Sequence, residues 1–494
     1  MKFEERAAII EKLNRWEKKY PVDTWMIEGV HIWPILKKDI FFNLYRKFNL
    51  APVKNKSLKK SILKRIFNKI SRKPKAWLYL KNIKIEKGNF LFSGAPTFRV
   101  NWEDKQFNRY FDPIMDYMES KGEKPYLLEY SKVELKDVYK SSRVIDLTKV
   151  KPIFFTSLNF DKAWSHLMVS PGFTGFFKEM IEETVLTEKE LKNGLLKNVQ
   201  VILGWANLYE YFLKQMKVKY IFGLCYYNQP MTGMNLAAKK LGVISIDMQH
   251  GAQGDLHFAY YYYNKIPKGG YNTLPAKFWL WDLNSFKNIS KWTVNKYHFP
   301  ILGGNPWIEF LRDDFKGQNI YHDNKPMILF TLQPLNPIID DYFLEVISLT
   351  CQKYNWWLRL HPRMTKEEVT GLNLKLVEFK IEGFVNIEEA SREPLPLLLK
   401  ECSLHVSKYS GSIAEAALMQ RPSLIIDEIG IKSFEDLIES KVAVACLTKT
   451  PAEIIELVEN ILNNLESHIM IQGQVMATYK TIIDEFIKKS VKQN

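Results

Sequence analysis

Two short segments carry residue types that could hold a phosphate. The first is Val406-Ser407-Lys408-Tyr409-Ser410-Gly411-Ser412-Ile413-Ala414-Glu415. Residues 404–406 read as a buried strand, the Ser-Gly-Ser turn ends it, and 413–420 read as an Ala-rich helix. That order aims backbone N–H groups and the positive end of a helix dipole at an anion. Glu415 is placed either to hold ribose hydroxyls or to close a capping box on Ser412. The second segment, Trp356-Trp357-Leu358-Arg359-Leu360-His361-Pro362-Arg363, is an apolar strand ending in His-Pro. Proline cannot continue a central ladder, so His361 falls at the carboxyl end between Arg359 and Arg363. Open α/β sheets bind ligands at that edge, and a lone structural His is the competing reading.

A third segment supplies proton chemistry. Asp247-Met248-Gln249-His250-Gly251-Ala252-Gln253-Gly254-Asp255-Leu256-His257 leaves a strand and enters a glycine-containing loop with two His, two Gln and two Asp. An imidazole titrates near neutral pH, so His250 is the candidate general base, with Asp255 beside it. Gln249, Gln253 and His257 would then hold an acceptor. Alternatively, Gln249 and His250 cap and order the loop. A metal site from His250, Asp255 and His257 lacks a fixed geometry, and no metal is expected.

These segments need a scaffold, and the chain alternates strands and helices. Strands are expected at 90–94, 125–129, 152–157, 219–226, 243–248 and 278–281. A second series covers 327–332, 356–361, 383–387, 404–406, 423–426 and 443–447, with helices such as 107–121, 199–216 and 230–241 among the intervening segments. Alternation of this kind predicts α/β architecture with parallel sheets, as two Rossmann-like lobes facing a central cleft. The expected domains are a helical segment over 1–80, an acceptor lobe over 81–290, a donor lobe over 291–470 and a terminal helix over 471–494. Tyr260-Tyr261-Tyr262-Tyr263 reads as a strand with one buried face or as a platform for sugar rings.

Charge is concentrated. The net charge is +15, and residues 54–75 hold ten Lys or Arg and no acid. Leu58, Ile62, Leu63, Ile66, Phe67 and Ile70 recur there at helical spacing, which makes a basic amphipathic helix. Its Lys59, Lys60, Lys64, Arg65 and Lys69 suit an anionic membrane surface, and plain packing is the alternative. Aromatic and basic residues do not interleave as nucleic-acid stacking requires, so no nucleic acid is expected. Four scattered cysteines without CxxC spacing read as reduced thiols. A charged N-terminus and the lack of a long apolar run point to a cytoplasmic protein, peripheral on the inner face of the membrane.

Together, Gln249-His250-Gly251, Leu274-Pro275, Phe278-Trp279-Leu280-Trp281, Arg359-Leu360-His361-Pro362 and Tyr409-Ser410-Gly411-Ser412 with Glu415-Ala416 resemble GT-B glycosyltransferases. More narrowly, they are similar to enzymes of bacterial capsule and O-antigen (lipopolysaccharide) clusters. The His-Pro and Ser-rich pair resembles the motifs by which bacterial sialyl- and Kdo-transferases hold the nucleotide phosphate. The resemblance implies a nucleotide-sugar donor held by Arg359, His361, Arg363, Ser410, Gly411, Ser412 and Glu415. It implies a glycan or lipid-linked oligosaccharide acceptor in the other lobe, with no cofactor. The acidic acceptor motif of sialyltransferases is absent, which argues against sialic acid. A CDP-polyol phosphotransferase, a sugar-nucleotide 2-epimerase and a non-catalytic binding protein are the other readings.

Overall fold

The computed structural model describes residues 3–48, 72–83, 85–155, 157–184, 186–251, 253, 257–293, 297–315, 323–465 and 478–492. Lys59, Lys60, Lys64, Arg65, Lys69 and Asp255 lie outside these residues. The chain forms two compact units, Met1–Pro306 with Ala477–Asn494, and Trp307–Met476. Among the described residues no helix is long and apolar enough to cross a membrane.

The first unit is built on seven parallel strands. In chain order they are β1 (Phe90–Gly94), β2 (Tyr126–Glu129), β3 (Val144–Asp146), β4 (Tyr220–Leu224), β5 (Ile244–Met248), β6 (Lys277–Leu280) and β7 (Phe299–Leu302). In space they run β7-β6-β5-β4-β1-β2-β3. Strand order reverses between β1 and β4, which makes their carboxyl ends the crevice of a doubly wound sheet. Helix Glu188–Met216 starts at a capping box on Thr187 and lays Leu208, Tyr209 and Phe212 on the sheet. Gly233 of helix Gln229–Leu241 meets it closely, because a Cβ there would stand 2.6 Å from Trp205 Cβ.

An aromatic layer flanks this sheet. Helices Phe3–Lys19 and Trp33–Phe48 share a core with Trp25, Phe173, Phe176 and Tyr260. Lys37, fully buried, lies 3.7 Å from Glu17 Oε2 and donates to the Tyr261 and Tyr262 carbonyls. Burial lowers the Lys37 pKa and raises that of Glu17. Helix Tyr479–Lys492 returns to this unit and stacks Phe486 on Tyr220 at 4.8 Å.

The second unit repeats the plan with six parallel strands. These are β8 (Met327–Thr331), β9 (Asn355–Arg359), β10 (Val385–Asn386), β11 (Leu404–Ser407), β12 (Ser423–Ile425) and β13 (Ala443–Ala445). Their spatial order is β10-β9-β8-β11-β12-β13, so the reversal falls between β8 and β11. Residues alternate between two cores as strand geometry requires. Ile328, Phe330, Trp356 and Leu358 face one, and Met327, Leu329 and Trp357 the other.

Three expectations change. The apolar 152–157 segment is not a strand: Lys151–Phe154 is a short helix with Pro152 in its first turn, where a missing N–H costs nothing. The 107–121 helix begins only at Asp112, because Lys105–Asn108 pairs with Arg99–Trp102 as a hairpin. The tyrosine run is a turn-rich loop rather than a strand, with Tyr260 and Tyr263 buried.

Candidate sites at the carboxyl edges of the two sheets

In the first unit the chain leaves β4 through Cys225, whose φ of 57° is the left-handed region that a residue with a Cβ rarely adopts. That turn aims the thiol at His250, just past β5. Cys225 Sγ lies 3.0 Å and Tyr227 Oη 3.3 Å from His250 Nε2. Burial pushes the Cys225 pKa up to about 12, so it stays a thiol. Burial pushes His250 down to about 4, and the Met248 carbonyl offsets only part of that. The imidazole is therefore neutral at physiological pH. Its Nδ1 is buried and makes no hydrogen bond of normal geometry among the described residues.

Other polar groups gather at this edge. Asp247 accepts from Tyr260 Oη at 2.7 Å and from Tyr226 N at 3.0 Å. Burial in that apolar setting raises its pKa to about 8. His257 packs on Tyr227 and Tyr260, accepts from Ala259 N, and is pushed down to about 3 by burial. Gln249 holds the loop: its amide accepts from Trp281 N at 2.7 Å and donates to Asp282 and Ser285. Both ends of that amide are thus committed to the protein, which is the loop-ordering role. Gln253 differs. It is 2% exposed, and both polar atoms of its amide lack partners among the described residues. Trp281 Nε1 is likewise buried without a partner, under the stacked ring of Tyr110 at 6.1 Å. Buried polar groups are normally satisfied, so these atoms are candidates for contact with a polar ligand or water.

In the second unit the edge is ordered by a hydroxyl chain. His405, buried in the middle of β11, reaches Thr331 Oγ1 at 2.9 Å through Nε2 and Ser423 Oγ at 2.9 Å through Nδ1. Thr331 Oγ1 also meets Ser407 Oγ at 3.0 Å and Ser412 Oγ at 2.8 Å. Burial pushes His405 down to about 3, so this network is neutral. Ser412 therefore points its hydroxyl inward and fixes the turn. Gly411 caps the short helix Ser412–Leu418 with no side-chain bond, so the alternative capping box does not form. Ser410 is half-buried and Gly411 exposed, which leaves the turn backbone as the part that meets solvent.

Around that turn, Tyr409 N donates to Gln333 Oε1 at 3.0 Å, and Lys408 Nζ pairs with Asp340 at 2.8 Å. Gly430 is required here, because a Cβ would come within 2.0 Å of the Lys408 carbonyl oxygen. Arg359 does not project freely. Its Nη1 donates to the Ala390 and Glu393 carbonyls at 2.6 Å each, and its charge faces Glu415. His361 is half-exposed, accepts from Arg363 N at 3.1 Å, and is lowered by burial and then by Arg363. Arg363 is exposed. Tyr227, Thr331, Gln333 and His405 were not singled out by the sequence, while Asp247, Tyr260, Trp281 and Lys408 stood in the quoted segments and Cys225 among the scattered thiols, without a role in the site. Cys225 fell inside the expected strand 219–226, and the only signal for Tyr227 was its place between that strand and Asn228-Gln229-Pro230.

Among the described residues no three His, Cys, Asp or Glu side chains gather as a metal site. No family model matches the chain, and no curated protein does. Solved structures do. A Listeria monocytogenes protein described provisionally as a UDP-N-acetylglucosamine 2-epimerase aligns at 11% identity and a TM-score of 0.50, over 82% of this chain and 96% of its own. A Neisseria meningitidis UDP-GlcNAc 2-epimerase bound to UDP-GlcNAc aligns at 13% identity and a TM-score of 0.48, over 81% and 99%. A Rickettsia africae glycosyltransferase aligns at 12% identity and 0.47, over 83% and 99%. At such identities the likeness concerns the fold alone, and it is the GT-B type: two Rossmann-like α/β units on one chain.

Proposed function

We propose that the chain is a glycosyltransferase that moves a sugar from a nucleotide-sugar to a lipid-linked or growing surface polysaccharide. The observation that carries this reading is the neutral His250, held through Nε2 by Cys225 and Tyr227, in a loop whose Gln253 amide is buried without a partner among the described residues. In the tautomer with its proton on Nε2, toward Tyr227 Oη and Cys225 Sγ, Nδ1 offers its lone pair. It takes the proton of an acceptor hydroxyl, whose oxygen bonds the anomeric carbon of the donor. The bond from that carbon to the phosphate oxygen breaks, and the nucleotide leaves with the electron pair. Arg363, His361 and the backbone of the Ser410–Ser412 turn supply positive field for that anion without a metal. Gln253 and Trp281 orient the acceptor, and Cys225 and Tyr227 position the base. Asp255 is the alternative base candidate in the same loop, and His257 is a candidate acceptor contact. The enzyme works in the cytoplasm, on the inner face of the membrane where a lipid-linked acceptor is presented.

A sugar-nucleotide 2-epimerase would use the same donor chemistry, and products separate the two. Thermal melting with CMP, CDP, UDP, GDP and TDP, with and without Mg²⁺, names the nucleotide. The matching nucleotide-sugar is then incubated with lipid extract. Free nucleotide and a glycosylated lipid are expected. An isomerised nucleotide-sugar would establish the epimerase, a transferred polyol phosphate from a CDP donor the phosphotransferase. Melting that responds to no nucleotide would sink the enzymatic reading.

A further inference from the structure

Helix Arg72–Asn82 places its Ala76 and Leu80 against the first unit and turns an apolar pair outward. Trp77 is 55% and Leu78 63% exposed. Lys73, Lys75 and Lys81 are exposed on the same helix, and no Asp or Glu occurs between Asp39 and Glu86. Lys73, Trp77 and Lys81 follow one another at four-residue spacing, and Pro74 and Leu78 form the adjacent row. Beside this face lies a cavity of ≈ 340 Å³ lined by Lys75, Tyr79, Thr148, Lys149 and Pro152. Lys149 Nζ stands 4.9 Å from the centre of the Tyr79 ring. Asp146, beneath the same loop, is buried and accepts from Thr148 N at 2.9 Å and Thr148 Oγ1 at 2.6 Å. Lys75 and Lys149 are the cations that line the cavity, and the exposed Glu134 is an acid within electrostatic reach of Lys149.

We infer that this face is a membrane-docking site: Lys75 and Lys149 take the phosphate of an anionic phospholipid headgroup, and Trp77 and Leu78 enter the interface beside it. Tryptophan with an adjoining aliphatic side chain prefers the headgroup boundary, and lysines flanking it gain from an anionic surface. An acidic protein would satisfy the lysines and leave Trp77 and Leu78 without an apolar counterpart. A bilayer offers both chemistries at one depth. The inference rests on the membrane part of the proposed function and is independent of the nucleotide part.

The test is co-sedimentation of the full chain with phosphatidylcholine vesicles, with and without phosphatidylglycerol. Wild type is expected to sediment only with phosphatidylglycerol present. A lysine near an anionic surface is worth about 1 kcal/mol, so Lys75→Glu with Lys149→Glu lowers partition on the order of thirtyfold or more. Trp77→Ser with Leu78→Ser lowers it as well, and Trp77→Phe removes part of the quenching by brominated lipid. Each variant changes exposed residues, and its melting curve and nucleotide response are expected to match wild type. Partition equal to wild type in both double variants overturns the site, as does failure of wild type to bind. Full competition by glycerol phosphate would also overturn it, by showing a soluble-phosphate site. A nucleotide response that persists without vesicle binding, or the reverse, tells which of the two readings has failed.

Discussion

The carboxyl edge of the first sheet buries titratable groups in neutral form, with Arg109 acting on His250, whereas that of the second leaves Arg363 exposed and His361 half-exposed. At the first, burial holds a thiol, an imidazole and a carboxyl in their neutral forms, and the strained Cys225 turn aims one at another. At the second, the buried groups form a neutral hydroxyl chain that shapes a turn, while Arg363 and His361 face outward. The same strand order thus yields two different chemistries. One edge suits the handling of a proton in a dry place, and the other suits the holding of an anion.

The largest expected effect breaks the first half of that contrast. His250→Ala should lower transfer by a hundred- to ten-thousandfold, the usual range for a general base, while nucleotide-induced stabilisation persists. Burial holds the imidazole near 4, so the acidic limb of the wild-type rate profile should fall well below the ordinary histidine value. A profile that bends at that ordinary value would remove His250 from the role. Tyr227→Phe keeps the ring and should cost less than His250→Ala.

Next comes the hydroxyl chain of the second unit. Thr331→Val preserves shape but leaves His405 Nε2, Ser407 and Ser412 short of a partner. Unsatisfied buried groups cost about 1–3 kcal/mol each, so denaturant unfolding should show a loss of roughly 2–4 kcal/mol. If the chain positions the turn, nucleotide affinity drops as well. An unchanged affinity would reduce the network to a packing role.

The two arginines sharpen the contrast further. Arg359 is tied to two carbonyls, so Arg359→Ala should lower the melting temperature. Arg363 is exposed, and Arg363→Ala should leave melting unchanged and weaken nucleotide binding about tenfold, the scale of one charge-assisted hydrogen bond. Equal effects of both on melting would erase the distinction between a scaffold arginine and a ligand arginine.

Sequence pattern made the alternation of elements legible because buried parallel strands read as apolar runs, as in residues 327–331 and 404–407. It failed at the margins. β7 contains Pro300, which an edge strand tolerates and a central one does not. β3 is three residues long and was not distinguishable from the loop around it. The Ser-Gly-Ser turn and the His-Gly loop were visible as strand-end motifs. Their inner partners were not, because strand order alone decides that β4 delivers Cys225 beside His250, and that Thr331 and His405 share a face.

The smallest effect concerns Asp247, which sits beneath the first edge and touches Tyr226 N and Tyr260 Oη. Its folded pKa is raised to about 8, so the folded protein holds a proton that the unfolded chain has released above the ordinary carboxylate value. Its contribution to stability is therefore fully present below the ordinary carboxylate value and is lost progressively as pH rises from there to about 8. Asn is a neutral isostere of the protonated form and can still accept from one of the two donors. Asp247→Asn should melt like wild type only near the ordinary carboxylate value, and at a higher temperature than wild type at neutral pH. Between pH ~7 and ~9 wild type should lose about 1.4 kcal/mol that the variant retains. The buried histidines His250, His257 and His298, all lowered by burial, act in the opposite direction. Their stabilising effect is complete above the ordinary histidine value and fades as pH falls toward 4. An alkaline loss that Asn at 247 fails to abolish would mean that Asp247 is ionised in the folded protein. The first edge would then be charged, and its contrast with the second would be one of exposure alone.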